Sequence, residues 1–167
     1  FTFFLLLVFP IFLFLLFLFT SYLTYGQNVI ITQGTATNIC IGGSAVALSN
    51  IVISESAGGL ADDAIGGGSS DVSGSLILSI DSDFEFVVGT GSISISGGDV
   101  FLTSFNVAST SITINLSAFN AGAGDFVDII TISGLQIKAI NTPAQTGLIT
   151  RTGGTLTITG LVNGNQV

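Results

Sequence analysis

The sequence predicts an all-β chain, a two-sheet antiparallel β-sandwich preceded by an N-terminal hydrophobic signal helix. Three observations carry that expectation. Apolar and polar residues alternate with a period of two, most clearly over Gly74 to Phe86 (GSLILSIDSDFEF). Segments of this kind recur at intervals of about 8–12 residues, set off by glycine, with no helical period after residue 26. The opening stretch Phe1 to Phe19, by contrast, is apolar except for Thr2.

Composition removes several function classes. The 167 residues contain no His, Met or Trp, one Cys, two basic side chains and ten acidic ones, for a net charge of −8. Without His, and with Cys40 as the one thiol, no Ser/His/Asp or Cys/His nucleophile and no nitrogen-and-sulfur zinc site can be assembled. Nucleic acid is excluded as a partner because Lys138 and Arg151 are too few to displace its counterions.

The apolar opening is long enough to cross a bilayer, which takes about 20 residues. Thr24-Tyr25-Gly26 ahead of Gln27 puts small residues at the last and third-last positions before a cut. Residues 1–26 therefore read as a cleaved export signal and 27–167 as the β-sandwich domain, secreted or held at the outer cell surface. An uncleaved anchor is the alternative, and through it alone would the chain meet a membrane. Cys40 lies too far from the apolar run for a lipoprotein and is expected as a small buried residue of a strand Asn38 to Ile41. A single thiol also makes no intramolecular disulfide. From Gln27 onward the chain is long enough to bury one core without metal or cross-link.

Taken in order, Val29-Ile30-Ile31 is an apolar run. Ala45 to Ile53 reads as one strand covered on both faces, with Val46, Leu48 and Val52 on one side and Ile51 and Ile53 on the other. Ser56 to Ser73, with five Gly, reads as a surface excursion. Gly74 to Phe86 then places Leu76, Leu78, Ile80, Phe84 and Phe86 inward as a single half-buried strand. Gly89 to Gly91 is a turn, Ser92 to Ser96 a short strand, and Gly97-Gly98 a hairpin-like turn. Asp99 to Ala108 sets Phe101, Thr103, Phe105 and Val107 on a common face, and Ser111 to Ser117 turns Ile112, Ile114 and Leu116 inward. Asn120 to Gly124 is a loop, and Phe126 to Ile140 is a strand pair broken at Ser133-Gly134, where a bulge or a switch between sheets is expected. Gly147 to Arg151 is a short strand, and Thr155 to Thr159 a last one with Leu156 and Ile158 inward.

Two acidic groups qualify as weak calcium candidates. Asp62 and Asp63 sit with Asp71 in the glycine-rich excursion, without the spacing of an EF-hand loop. Asp81, Asp83 and Glu85 fall on one side of the long strand, roughly 6.5–7 Å apart. Carboxylates at that separation also raise a glycosidase reading. Against it, no aromatic stands beside them and nothing buries one to raise its pKa, so solubilising charge along a strand is the favoured role.

The strings LILSIDSDFEF, GTGSISISGGDV, TSITINLS, DIITISGLQIKA and LITRTGGTLTITGLVNG occur in this order between Asn50 and Gly164. That order resembles an Ig-like or cohesin-like β-sandwich repeat module of large secreted or cell-surface adhesin-like proteins of Bacteroidota. Phe84-Glu85-Phe86, ISGLQIKA at Ile132 to Ala139 and TRTGGT at Thr150 to Thr155 are its most specific parts. Family members commonly carry Pro ahead of the Phe-Glu-Phe triplet, where Ile80 and Asp81 stand here. The resemblance implies export by the general secretory route, further domains in the same longer chain, and an adhesive or structural role toward a surface protein or glycan. The function expected is thus a non-catalytic structural or adhesive module, with no cofactor unless calcium. The alternative is a carbohydrate-binding module, against which stands the lack of exposed Trp or Tyr beyond the leader.

Overall fold

The computed structural model describes residues 29–36, 39–56, 64–66, 72–118, 127–141 and 147–167. The leader and its expected helix, like the Asn120 to Gly124 loop, lie outside them. The described residues are all-β, with no helix. The strands are β1 (Val29–Thr32), β2 (Val46–Ala47), β3 (Ile51–Glu55), β4 (Val72–Ile80), β5 (Phe84–Phe86), β6 (Ser92–Ser96), β7 (Val100–Val107), β8 (Ser111–Ala118), β9 (Ile129–Ser133), β10 (Gln136–Ala139) and β11 (Ile149–Gly153). They form three packed antiparallel sheets, in the orders β1-β3-β9-β6, β2-β10-β5 and β11-β4-β8-β7. The sequence expectation was two sheets. The third arises because β2, β5 and β10 are short pieces that leave the two larger sheets.

Side chains with a two-residue period make this arrangement cohere. In β8 every second residue from Ile112 to Ala118 is buried, and Leu76 and Leu78 of β4 stand opposite Ile114 and Ile112. In the other large sheet Ile51 and Ile53 of β3 pair with Ile132 and Ile130 of β9. All eight side chains are fully buried in one apolar cluster that also takes in Phe86, Leu135, Leu156 and Leu161. The expected switch at Ser133-Gly134 is present: Gly134 adopts φ +67°, and the chain passes from β9 in one sheet to β10 in another.

Several expected elements are corrected. Gly74 to Phe86 is two strands in different sheets, parted by a turn at Asp81 to Asp83. There Phe84 N–H donates to Asp81 O (2.9 Å), and Asp81 Oδ2 accepts from Leu148 N–H (2.9 Å), so local polar groups outcompete the ladder. The inward phase survives because the turn consumes three residues. Ala45 to Ile53 likewise splits into β2 and β3, since Leu48 N–H bonds Leu135 O and Ser49 N–H bonds Thr35 O. The excursion after Ser56 dips into the core: Ala64 and Ile65 are buried, and Gly66 N–H and Thr159 N–H tie the segment to Thr157 and Ala64 carbonyls. Thr155 to Thr159 forms only a bridge between Ile158 and Ile65, although Leu156 and Ile158 do point inward. Cys40 is exposed, in a turn closed by Gly43 N–H on its own carbonyl, and not a buried strand residue.

A further correction concerns β7. A register shift between Leu102 and Ser104 inserts one residue against β8, so the face that holds Phe105 and Val107 is not the face that holds Phe101. Phe101 is 51 % exposed, while its neighbour Val100 is 5 % exposed.

Arg151 closes the far edge. Its guanidinium is buried and donates to Leu161 O and to Leu156 O (2.6 Å), and burial lowers its pKa. Its backbone bonds Gly164 and Asn165, and Val167 N–H bonds Ile149 O, so the C-terminal residues run along β11.

The bulge makes a test of sign. Val100→Ser is expected to cost about 2 kcal/mol in urea unfolding, and Phe101→Ser less than about 1 kcal/mol. A strand alternating without interruption from Phe101 to Val107 requires the opposite order.

Candidate functional site

The acids singled out from sequence do not converge. Asp81 is tied to Leu148 through both its backbone and its carboxylate, and Asp83 O accepts from Ile140 and Asn141 N–H. Glu85, one strand further on, stands opposite Lys138 of β10 and pairs with it at 2.6 Å. Asp62, Asp63 and Asp71 lie outside the described residues. Among the described residues no group of three or more His, Cys, Asp and Glu is arranged to hold a metal ion.

A different set of acids is buried together. Glu55 ends β3, Asp128 precedes β9 and Asp99 precedes β7; their exposures are 1 %, 0 % and 7 %. Glu55 and Asp128 continue the inward phases of Ile51-Ile53 and Ile130-Ile132 by one step. The ladder itself brings them together, with Glu55 N–H donating to Asp128 O at 2.9 Å. The Glu55 carboxylate is well supplied: Oε1 accepts from Ile65 N–H (2.8 Å) and Oε2 from Asp128 N–H (3.0 Å). It thereby pins the buried 64–66 segment to the start of β9.

The Asp128 carboxylate has no such donors. It reaches up to the β6–β7 turn, where a Cβ placed on Gly97 would lie 2.0 Å from its Oδ1, so only glycine leaves room for it. Gly97 also holds φ +133°, a conformation costly for any other residue. The Asp99 carboxyl lies within hydrogen-bonding reach, so a proton on Asp128 can be shared between them, whereas with both ionised Asp99 Oδ1 and both Asp128 oxygens are left without a well-formed hydrogen bond. Burial, the Asp99 carboxyl and the negative charges of Asp99 and Glu55 raise the Asp128 pKa from 3.8 to about 8, against a smaller opposite effect of the Val100 amide.

The sequence held a signal for this set, since both Glu55 and Asp128 fall on apolar phases. Nothing local marks it further, because Glu55 and Asp128 lie 73 residues apart and only the β3–β9 pairing brings them together.

A second feature is a cleft of about 360 Å³ lined by Gln33, Thr35, Phe84, Ile137, Leu148 and Gln166, among others. Gln33 Nε2 donates to Gln166 Oε1 at 3.3 Å, placing paired amides at its wall. The Phe84 ring is buried, and Gly147 lies so close that a Cβ there would come within 2.4 Å of ring atoms. Backbone, not a ligand, covers that ring face.

No protein-family model, curated protein or solved structure matches the chain.

The buried carboxyl has a pH signature. Folded Asp128 keeps its proton up to about pH 8, whereas the unfolded residue loses it near 3.8. Between these values the folded state binds the extra proton, so stability falls as pH rises and levels off above the folded pKa. Urea unfolding across this window is expected to show that decline, and Asp128→Asn to flatten it.

Proposed function

We propose that this chain is a non-catalytic structural or adhesive module of a secreted or cell-surface protein, built as an Ig-like or cohesin-like sandwich and joined to further domains of a longer chain. The observation that supports it best is the edge strand β7. Among the described residues the sheet order β11-β4-β8-β7 ends on these eight residues, VFLTSFNV, which include no charged side chain and no Pro. Four consecutive residues, Phe101 to Ser104, are exposed. An edge with these properties is a template for adding a strand from another chain, and proteins that avoid such pairing place Lys or Pro there. The bulge at its centre divides the edge into two short runs, which limits indiscriminate pairing while leaving Phe101 on the outer face and Leu102 partly exposed on the inner one. The resemblance to adhesin-like modules of Bacteroidota points the same way.

A carbohydrate-binding module is the second reading, supported by the paired amides Gln33 and Gln166 at the cleft. Amide side chains supply the donors and acceptors that sugar hydroxyls need.

Two charges on the edge separate these readings. Binding of the purified protein to protein-coated and cell surfaces, and its self-association by sedimentation, are expected to fall at least tenfold in the Leu102→Lys/Ser104→Lys variant, with an unchanged circular dichroism spectrum. Saturable binding on a glycan array that survives these charges and is lost in Gln33→Ala/Gln166→Ala would move the assignment to the carbohydrate reading.

A further inference from the structure

The pair Asp99 and Asp128 is expensive as it stands. Ionised together out of water, the two carboxylates repel each other and each unpartnered oxygen forfeits the hydrogen bonds it had in solvent, a cost that either a proton on Asp128 or a cation between the two removes. Natural folds keep such groups when they are paired with positive charge or coordinate a metal. Neither basic residue serves this pair. Lys138 is engaged with Glu85, and Arg151 with the Leu156 and Leu161 carbonyls. Glu55 does not relieve it either, because its oxygens take the Ile65 and Asp128 amides and its own charge is negative.

Three features make the location a receptor and not merely a strained corner. Asp128 is fully buried, and both its oxygens, with Asp99 Oδ1, lack a well-formed hydrogen bond, the Val100 amide being the one donor that acts on the Asp128 carboxylate, which leaves three hard oxygen atoms in one place. The main chain approaches closely at Gly97, where any side chain would collide with the Asp128 carboxylate. Gly97 and Gly98 are themselves exposed, so the turn that packs on the Asp128 carboxylate borders solvent.

We propose that Asp99 and Asp128 form a binding site for a hard divalent cation, calcium by preference, under the β6–β7 turn. Carboxylate oxygens suit such ions, and calcium fills its remaining positions, to about six to eight in all, with carbonyls and water in irregular geometry. Magnesium demands a near-regular octahedron, which a site shared between a turn and a strand entry does not offer. The bound ion joins the β6–β7 turn to the start of β9, and with them the edge strand β7 to the rest of the body.

Calorimetric titration of the metal-stripped protein with CaCl2 is expected to give one site. Calcium at about 100-fold over Kd is expected to raise Tm by roughly 5–10 °C. Asp99→Asn and Asp128→Asn are expected to abolish both responses and Asp81→Asn to retain them. Should the buried variants not fold, Mn2+ added to the unaltered protein is expected to broaden the NMR amide signals of Gly97, Gly98, Asp99 and Asp128 first. The proposal is overturned by the absence of calcium-dependent heat and Tm shift up to about 10 mM, well above the affinities of extracellular calcium modules. It is equally overturned by an undiminished response in Asp128→Asn, or by broadening centred on Asp81, Asp83 and Glu85. A pair held together by a shared proton alone gives the first of these results.

Discussion

The structure rests on the alternation of apolar side chains along β3, β4, β8 and β9. Eight fully buried aliphatic residues, Ile51, Ile53, Leu76, Leu78, Ile112, Ile114, Ile130 and Ile132, face one another in register across β3–β9 and β4–β8. A slip of one residue in either ladder would turn the slipped strand's two to solvent, each worth about 1.5–3 kcal/mol of burial. Register is thereby fixed, and everything placed at the ends of these strands is fixed with it. Glu55 and Asp128 are such end positions.

That dependence explains why the buried acids meet at all. The ladder that pairs Ile53 with Ile130 next brings Glu55 to Asp128, whose side chains the inward phase directs to the core side. Glu55 is accommodated because two amides arrive to meet it. Asp128 is accommodated only because Gly97 has no side chain, and the turn that Gly97 makes is also what carries Asp99 alongside. Packing geometry, not chance surface placement, thus concentrates negative charge at one end of the body. Glu85 on β5 and Asp81 in the turn before it, by contrast, are engaged by Lys138 and by the Leu148 amide.

Much of the architecture was legible in the residues. The turns at Gly89–Gly91 and Gly97–Gly98, the strand Ser92 to Ser96, the inward set of β8 and the change of sheet at Ser133-Gly134 all follow from alternation and glycine. What escaped was each place where a local polar bond or an extra residue interrupted a continuous pattern. Asp81 to Asp83 looks like strand because its phase is preserved across the turn. Thr103 reads as one step of an unbroken alternation because a bulge leaves no mark in composition, yet the bulge reverses which of Val100 and Phe101 is buried.

The sequence by itself determined the kind of object: period-two burial, the near absence of basic charge, and the lack of His follow from residue identities and need no coordinates. The tertiary structure alone decided how the short strands divide among three sheets and which acids share a space. Those outcomes depend on contacts between residues far apart in the chain, such as Asp128 with Gly97 and Glu55 with Ile65, and no local pattern encodes the distance between them.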